Sequence, residues 1–258
     1  MTGEAHCLFE AERLSVRFGG LAAVQDVSFR LAAGQVLGLI GPNGAGKTTT
    51  VNAVTGFVRP TNGRVAFAGI DITNARPERI AALGLIRTFQ NAAVFSSMSV
   101  TDNLATGHFL AQKTGVWQTL LRTPAFVRDE RATRAQVERV LALTGLERRR
   151  RTIARDLPYG DQRVLGLGIA LMTDPKLLVL DEPAAGLSPE EARVMGNLIR
   201  AINREGITIL LIEHNMSVVM SVSDVVVVLK QGQKLAEGTP EAIRRHPEVV
   251  EAYLGAEP

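Results

Sequence analysis

Apolar residues follow three different periods along this chain. Val27, Phe29 and Leu31 alternate with polar or small neighbours, the pattern of a strand with one buried face. VLGLI at 36–40 is instead a short continuous apolar run, suited to a central strand covered on both sides. GRVAFAGIDI at 63–72 predicts two antiparallel strands with a turn near Gly69. From about Val100 to Leu171 the period becomes helical. There RDERATRAQVERVLALTGL sets Ala132, Ala135, Val137, Val140, Leu141 and Leu143 along one broad face, and Gly145 suits the C-terminal stop. Strand and helix then alternate through LLVLDEP, SPEEARVMGNLIRAI, ITILLIEH and DVVVVL. Ser188 with Pro189, and Thr239 with Pro240, pair an N-cap residue with proline in the first helical turn. The pattern predicts an α/β fold with a parallel sheet, interrupted by a mostly helical insertion.

Composition narrows the function classes. At 258 residues, with 46% hydrophobic and 21% charged residues, the chain has the make-up of an ordinary folded protein. Its net charge of +3 comes without a basic stripe interleaved with aromatics, so no nucleic-acid partner is expected. Arg148 to Arg151 read as a solvated helix end or loop. The single cysteine, Cys7, excludes an intramolecular disulfide and a cysteine-only metal site. The N-terminal MTGEAHCLFEAER lacks the apolar core of a signal peptide. TILLI at 208–212 and VVVVL at 225–229 are strand-sized and fall far short of the ~18 residues that span a bilayer. Any membrane contact is therefore expected to go through a partner.

Two motifs carry chemistry. Gly41-Pro42-Asn43-Gly44-Ala45-Gly46-Lys47-Thr48 matches G-x-x-x-x-G-K-[ST], follows the apolar strand and opens a helix beginning TTTVNAVTG. Glycines let backbone N–H groups converge on phosphate oxygens, and the helix N-terminus favours negative charge there. In that arrangement Lys47 neutralises the β- and γ-phosphates of ATP while the Thr48 hydroxyl ligates Mg²⁺, with Thr49 following in the same turn. LLVLDEP at 177–183 supplies a buried strand with Asp181 at its C-terminal end, where ligands of open α/β sheets bind. Asp181 is suited to hold Mg²⁺ through water, and Glu182 to polarise an attacking water.

With these motifs in place, the chain resembles the nucleotide-binding subunit of ABC transporters across nearly its full length. It looks most like the ATPases of branched-chain amino acid importers. The subfamily likeness lies in KTGVWQTLLRTPAFVRDE at 113–130, LPYGDQ, DEPAAGLSP and the ending HPEVVEAYLG. The resemblance implies a P-loop NTPase (RecA-like) core with an antiparallel β subdomain, over residues 1–90 and 173–258, and a helical subdomain over 91–172. It implies two subunits sandwiching two ATPs, each site joining one P-loop to the other chain's signature motif. It further implies two membrane permease subunits, a second ATPase subunit (the same chain or another) and, indirectly, a solute-binding protein. The expected location is peripheral, on the cytoplasmic face of the inner membrane. By the same resemblance Phe18 stacks on adenine, Gln90 reaches Mg²⁺ or water, and His214 contacts the γ-phosphate. Tyr159 and Gly160 offer backbone N–H groups to the opposing nucleotide. The alternative reading of Phe18 is an edge residue packing on the core.

Some positions depart from the family pattern. The signature L-S-G-G-Q becomes Leu157-Pro158-Tyr159-Gly160-Asp161, so proline replaces the phosphate-sensing serine. Gly166 and Gly168 cost the following helix roughly 0.8–1.0 kcal/mol each relative to alanine. Ile169 stands where arginine is usual, and Ser188 where many relatives have aspartate. The chain's own P-loop side thus looks intact, while the parts offered across a dimer look altered, which suits a heterodimer of unequal sites. The core motifs are shared with ATPases of lipid or lipopolysaccharide exporters and with non-transport ABC ATPases; importer function is the leading expectation.

Overall fold

The computed structural model describes residues 7–88, 94–108 and 124–254. In chain order its first elements are β1 (Cys7–Phe18), β2 (Leu21–Ala32), β3 (Val36–Ile40), α1 (Lys47–Val54), β4 (Asn62–Phe67), β5 (Ile70–Asp71), α2 (Pro77–Ala82) and β6 (Leu85–Thr88). The helices α3 (Val100–Gly107), α4 (Pro124–Thr144) and α5 (Tyr159–Leu171) follow. The chain then continues through β7 (Leu177–Asp181), α6 (Pro189–Arg204), β8 (Thr208–Ile212), α7 (Met216–Val222), β9 (Val225–Lys230) and β10 (Gln233–Gly238), ending in α8 (Pro240–Arg244) and α9 (Pro247–Leu254). Two compact units result: Met1–Arg87 with Lys176–Pro258, and Thr88–Pro175.

The first unit holds two sheets. A four-stranded antiparallel sheet runs β2-β1-β4-β5, and a six-stranded sheet runs β10-β9-β3-β8-β7-β6. In the antiparallel sheet, alternation sends Val27, Phe29 and Leu31 inward, where the Phe29 ring lies 5.8 Å from that of Phe9. The turn near Gly69 is as the sequence predicts: Ala68 and Gly69 both take positive φ, the twist a tight hairpin requires. In the larger sheet β7, β8, β3 and β9 run parallel, and β10 folds back antiparallel on β9. Strands β3 and β8 are buried at every position, as unbroken apolar runs in a doubly covered sheet must be. Leu37, Leu39, Leu177, Val179, Leu210 and Ile212 from this sheet share one core with Phe9, Phe29 and Phe67 from the other. Parallel pairing aligns the C-terminal ends of β3, β7 and β8, so the P-loop, the Asp181-Glu182 pair and His214 all emerge along one edge.

In the second unit α3, α4 and α5 pack through Val100, Leu104, Val137, Val140, Leu141, Leu165 and Leu171, all buried. Gly145 takes φ 71 and ends α4 as expected. The broad apolar face expected for α4 is narrower in fact. Val137, Val140 and Leu141 are buried and Leu143 partly so, whereas Ala132 and Ala135 are exposed. A single methyl gains too little from burial to orient a helix, and Thr133 and Gln136 share the inward stripe instead. Gly168 also has a packing reason. A Cβ there would come within 2.8 Å of Leu104 Cδ2 and 3.3 Å of Val140 Cγ1, so its helix-propensity cost is exchanged for close approach of three helices. Buried Asn103 ties the segment before α3 to its first turn. Its side chain donates to the Phe95, Met98 and Ser99 carbonyls and accepts from the Phe95 N–H. Of the segment at 113–130, residues 113–123 lie outside the described residues, as does Gln90.

Candidate functional site

The loop between β3 and α1 is shaped by close backbone approach. Gly41 takes φ 153, and a Cβ there would sit 2.2 Å from the Leu229 carbonyl oxygen. Gly46 takes φ 97, and its Cβ would meet the Ala23 carbonyl at 2.6 Å. Only glycine fits either position. The Gly232 N–H donates to the Ala45 carbonyl (3.1 Å), so the hairpin between β9 and β10 braces the loop from behind. The loop encloses Lys47, which is buried, and its ammonium donates to the Gly41 (2.6 Å) and Pro42 (3.1 Å) carbonyls. Burial pulls the Lys47 pKa below its ordinary 10.5, and the charge of Glu182 partly offsets this.

A cleft of about 390 Å³ opens here, lined by Asn43, Gly44, Ala45, Gly46, Lys47, Thr48 and Thr49 together with Glu182. The structure therefore brings most of the first motif and one carboxylate of the second to a single space. Gly41 and Pro42 lie behind it as acceptors for Lys47. Phe18 ends β1, half exposed, outside the residues lining the cleft; Leu21, at the start of β2, lines it instead. Sequence reasoning missed Leu21, Ala22, Ala23, Gln231 and Gly232, which complete the wall. A left-handed Gln231-Gly232 pair is a hairpin signal, but nothing local says that this turn lies against a loop almost 200 residues earlier.

Glu182 sits at φ 50, a left-handed conformation that costs a non-glycine residue about 1–3 kcal/mol. Its N–H donates to the Ile212 carbonyl (2.9 Å) and its own carbonyl accepts from the Ala185 N–H (3.1 Å), so hydrogen bonds on both sides hold the bend. The Glu182 carboxylate lies 3.9 Å from His214 Nδ1, and the His214 ring is 60% exposed. Asp181, one residue earlier, is engaged differently. Its Oδ2 accepts from Arg87 at 2.6 Å, with both side chains nearly buried. Arg87 also donates to Asn52 Oδ1 (2.6 Å) and lies 5.7 Å from the centre of the Phe57 ring. A guanidinium directly after the apolar Leu85-Ile86 of β6 was the available signal for this partner.

The residues present fit magnesium. Thr48, on the cleft wall, and Asp181, at the C-terminal end of β7, offer the hard oxygen donors that magnesium takes beside water and substrate phosphates.

The second unit carries the LPYGD segment. Pro158 is the N-cap of α5 and can make no side-chain cap bond, while Leu157 is buried. Tyr159 is half exposed, its hydroxyl accepts from Arg163 Nε (2.9 Å), and the Arg163 guanidinium lies 5.1 Å from its ring centre. Asp161 pairs with Arg149 at 2.7 Å, which gives one member of the arginine cluster a defined role. In the first unit Ser188 caps α6 through a full capping box with Glu191.

Comparison with known proteins decides the family. The family model described as ABC transporter matches residues 24–185. The chain belongs to the ABC transporter family. A second model, branched-chain amino acid ATP-binding cassette transporter, matches residues 233–258 of this cassette. The high-affinity branched-chain amino acid transport ATP-binding proteins LivG of Salmonella typhimurium and BraF of Pseudomonas aeruginosa are each 43% identical to it, over 96% of the chain and 98% of their own lengths. Among solved structures, the ADP conformation of MJ1267, an ATP-binding cassette of an ABC transporter, superposes with a TM-score of 0.82 at 32% identity, covering 96% of this chain and 99% of that one. The cassette cbiO1 of Clostridium perfringens, part of an ABC transporter complex, gives 0.81 at 26% identity, covering 96% of both chains. ATP-binding subunits of this family hydrolyse ATP.

Proposed function

We propose that this chain is the ATP-hydrolysing subunit of an importer for branched-chain or other hydrophobic amino acids. The observation that carries the reading is the common cleft of Lys47, Thr48 and Glu182 on the P-loop. Backbone N–H groups from Gly44 to Thr49 and the Lys47 ammonium bind the phosphates. Lys47 has only to turn from its two loop carbonyls to meet them. Thr48 and Asp181 hold Mg²⁺, with Gln90 reaching the same ion by family resemblance; bound there, the metal screens negative charge on the phosphates. Glu182 orients and deprotonates the attacking water, and His214 donates a hydrogen bond to the γ-phosphate. Phe18 stacks on adenine. Tyr159 and Gly160 present backbone N–H groups to the nucleotide of a second subunit.

The likeness to LivG and BraF supports amino acid import. No helix among the described residues is long and apolar enough to cross a membrane. The family likeness supports a peripheral subunit working with separate permeases on the cytoplasmic face. Solute choice then lies in those permeases and their solute-binding protein. The test uses Glu182→Gln in the assembled transporter. ATP binding is retained while hydrolysis falls about 10²–10⁴-fold, the range for loss of a general base. Wild-type hydrolysis by this variant would refute the assignment. Copurified permeases whose ATPase rate rises with branched-chain amino acids, and not with unrelated solutes, test the importer reading.

A further inference from the structure

Glu213 follows β8 and precedes His214, and its side chain is completely buried. Isolating a carboxylate from water is costly unless hydrogen bonds replace the lost hydration, and here three backbone N–H groups do so. Oε1 accepts from the Ala184 N–H at 2.7 Å. Oε2 accepts from the N–H groups of His214 (3.1 Å) and Asn215 (3.2 Å). The two oxygens therefore face two different loops. One is the loop after β7 that carries Glu182, met at Ala184 two residues further on; the other contains His214 itself.

We propose that Glu213 is a positioning residue for hydrolysis, a staple that fixes the Glu182 and His214 loops relative to each other. The inference rests on the roles given above to those two residues. Three features of the neighbourhood require such a device. The left-handed backbone at Glu182 persists only where its surroundings over-determine it, and the bond at Ala184 supplies a constraint just downstream. The His214 ring is mostly exposed, so its placement depends on its backbone and little on packing. Asn215, held by the same carboxylate, caps α7 by accepting from the Ser217 and Val218 N–H groups, which ties the His214 loop to a helix. A misplacement of about 1 Å is enough to cost 10²-fold in rate. Aspartate is one methylene too short to serve both loops. Glutamine matches the shape but has one accepting oxygen, so it turns an N–H donor toward one of them.

The test compares wild type, Glu213→Gln and Glu182→Gln in three measurements on the full chain. Hydrogen exchange without nucleotide reads the staple directly. In Glu213→Gln the amide of Ala184, or those of His214 and Asn215, exchange at least tenfold faster, while β3 stays as protected as in wild type. ATP affinity, read with a fluorescent ATP analogue, stays within about twofold. The maximal ATPase rate of the assembled transporter falls at least tenfold with little change in KM. Unchanged exchange in both segments, or an unchanged rate in the folded variant, would overturn the proposal. So would a loss of protection extending to β3 with ATP affinity and rate falling together, because that is general destabilisation. The exchange measurement requires no catalysis. Full hydrolysis by Glu182→Gln would therefore sink the functional reading while leaving the staple itself to be decided by exchange.

Discussion

The P-loop edge of the first unit and the LPYGD turn of the second are built on different scales. At the P-loop edge, contacts join segments remote in sequence. Arg87 meets Asp181 across 94 residues, Ala184 meets Glu213 across 29, and the Gly232 turn braces Ala45. Charges there are buried and interlocked, and the backbone is bent where only glycine, or a well-held Glu182, can follow. At the signature turn the contacts are nearer in sequence and more exposed: Tyr159 with Arg163 one helical turn on, and Asp161 with Arg149 just upstream of the turn. A binding edge assembled from distant segments is rigid but intolerant of single changes. A surface helix start held by neighbours can vary its sequence cheaply, as its proline shows.

The strongest way to break that contrast is Arg87→Ala. Removing one partner of a nearly buried ion pair leaves the other charge uncompensated, so unfolding free energy drops about 3–5 kcal/mol in urea titration. The double variant Arg87→Ala/Asp181→Ala should cost less than the sum of the single changes. A double variant whose cost equals the sum of the two single costs would show the pair is not coupled. Next is Gly107→Ala, which tests whether the second unit is tolerant throughout or only at its surface. A Cβ at 107 would lie 2.3 Å from the Ile169 carbonyl, so overpacking costs about 1–3 kcal/mol and lowers the thermal midpoint. A neutral result would mean that α3 and α5 can separate freely. The smallest effect has the opposite sign. Pro158→Ser supplies the missing N-cap and raises stability by about 0.5–2 kcal/mol, while Ser188→Ala removes an existing cap and lowers it by a similar amount. If serine at 158 also raises the ATPase rate of the assembled transporter, the signature turn takes part in phosphate sensing; no change would confine it to a structural helix start.

Legibility in the sequence followed the range of the interactions. The strand VLGLI, the hairpin at Gly69, the stop at Gly145 and the caps at Ser188 and Thr239 depend on neighbours within a few residues, and each stands where the pattern predicts. Ala132 and Ala135 misled because alanine fits either side of a helix. Gly168 looked like a weak point in α5, because the leucine and valine that crowd it belong to two other helices. Arg87 and Glu213 were overlooked because a charged residue beside an apolar run is ambiguous until its partner is known.

By itself the sequence determined the α/β order, the phosphate loop, the carboxylate pair at the end of β7 and membership of the family. Local propensity and a contiguous motif suffice for these, because backbone geometry over eight residues already defines an anion cradle. Tertiary structure decided which carboxylate reaches the cleft and which is held by an arginine, and how Lys47 is stored on its own loop. It also decided that one buried glutamate joins the two loops carrying Glu182 and His214. Those outcomes depend on burial and on directional hydrogen bonds between distant segments, and neither exists until the sheet has brought its strand ends together.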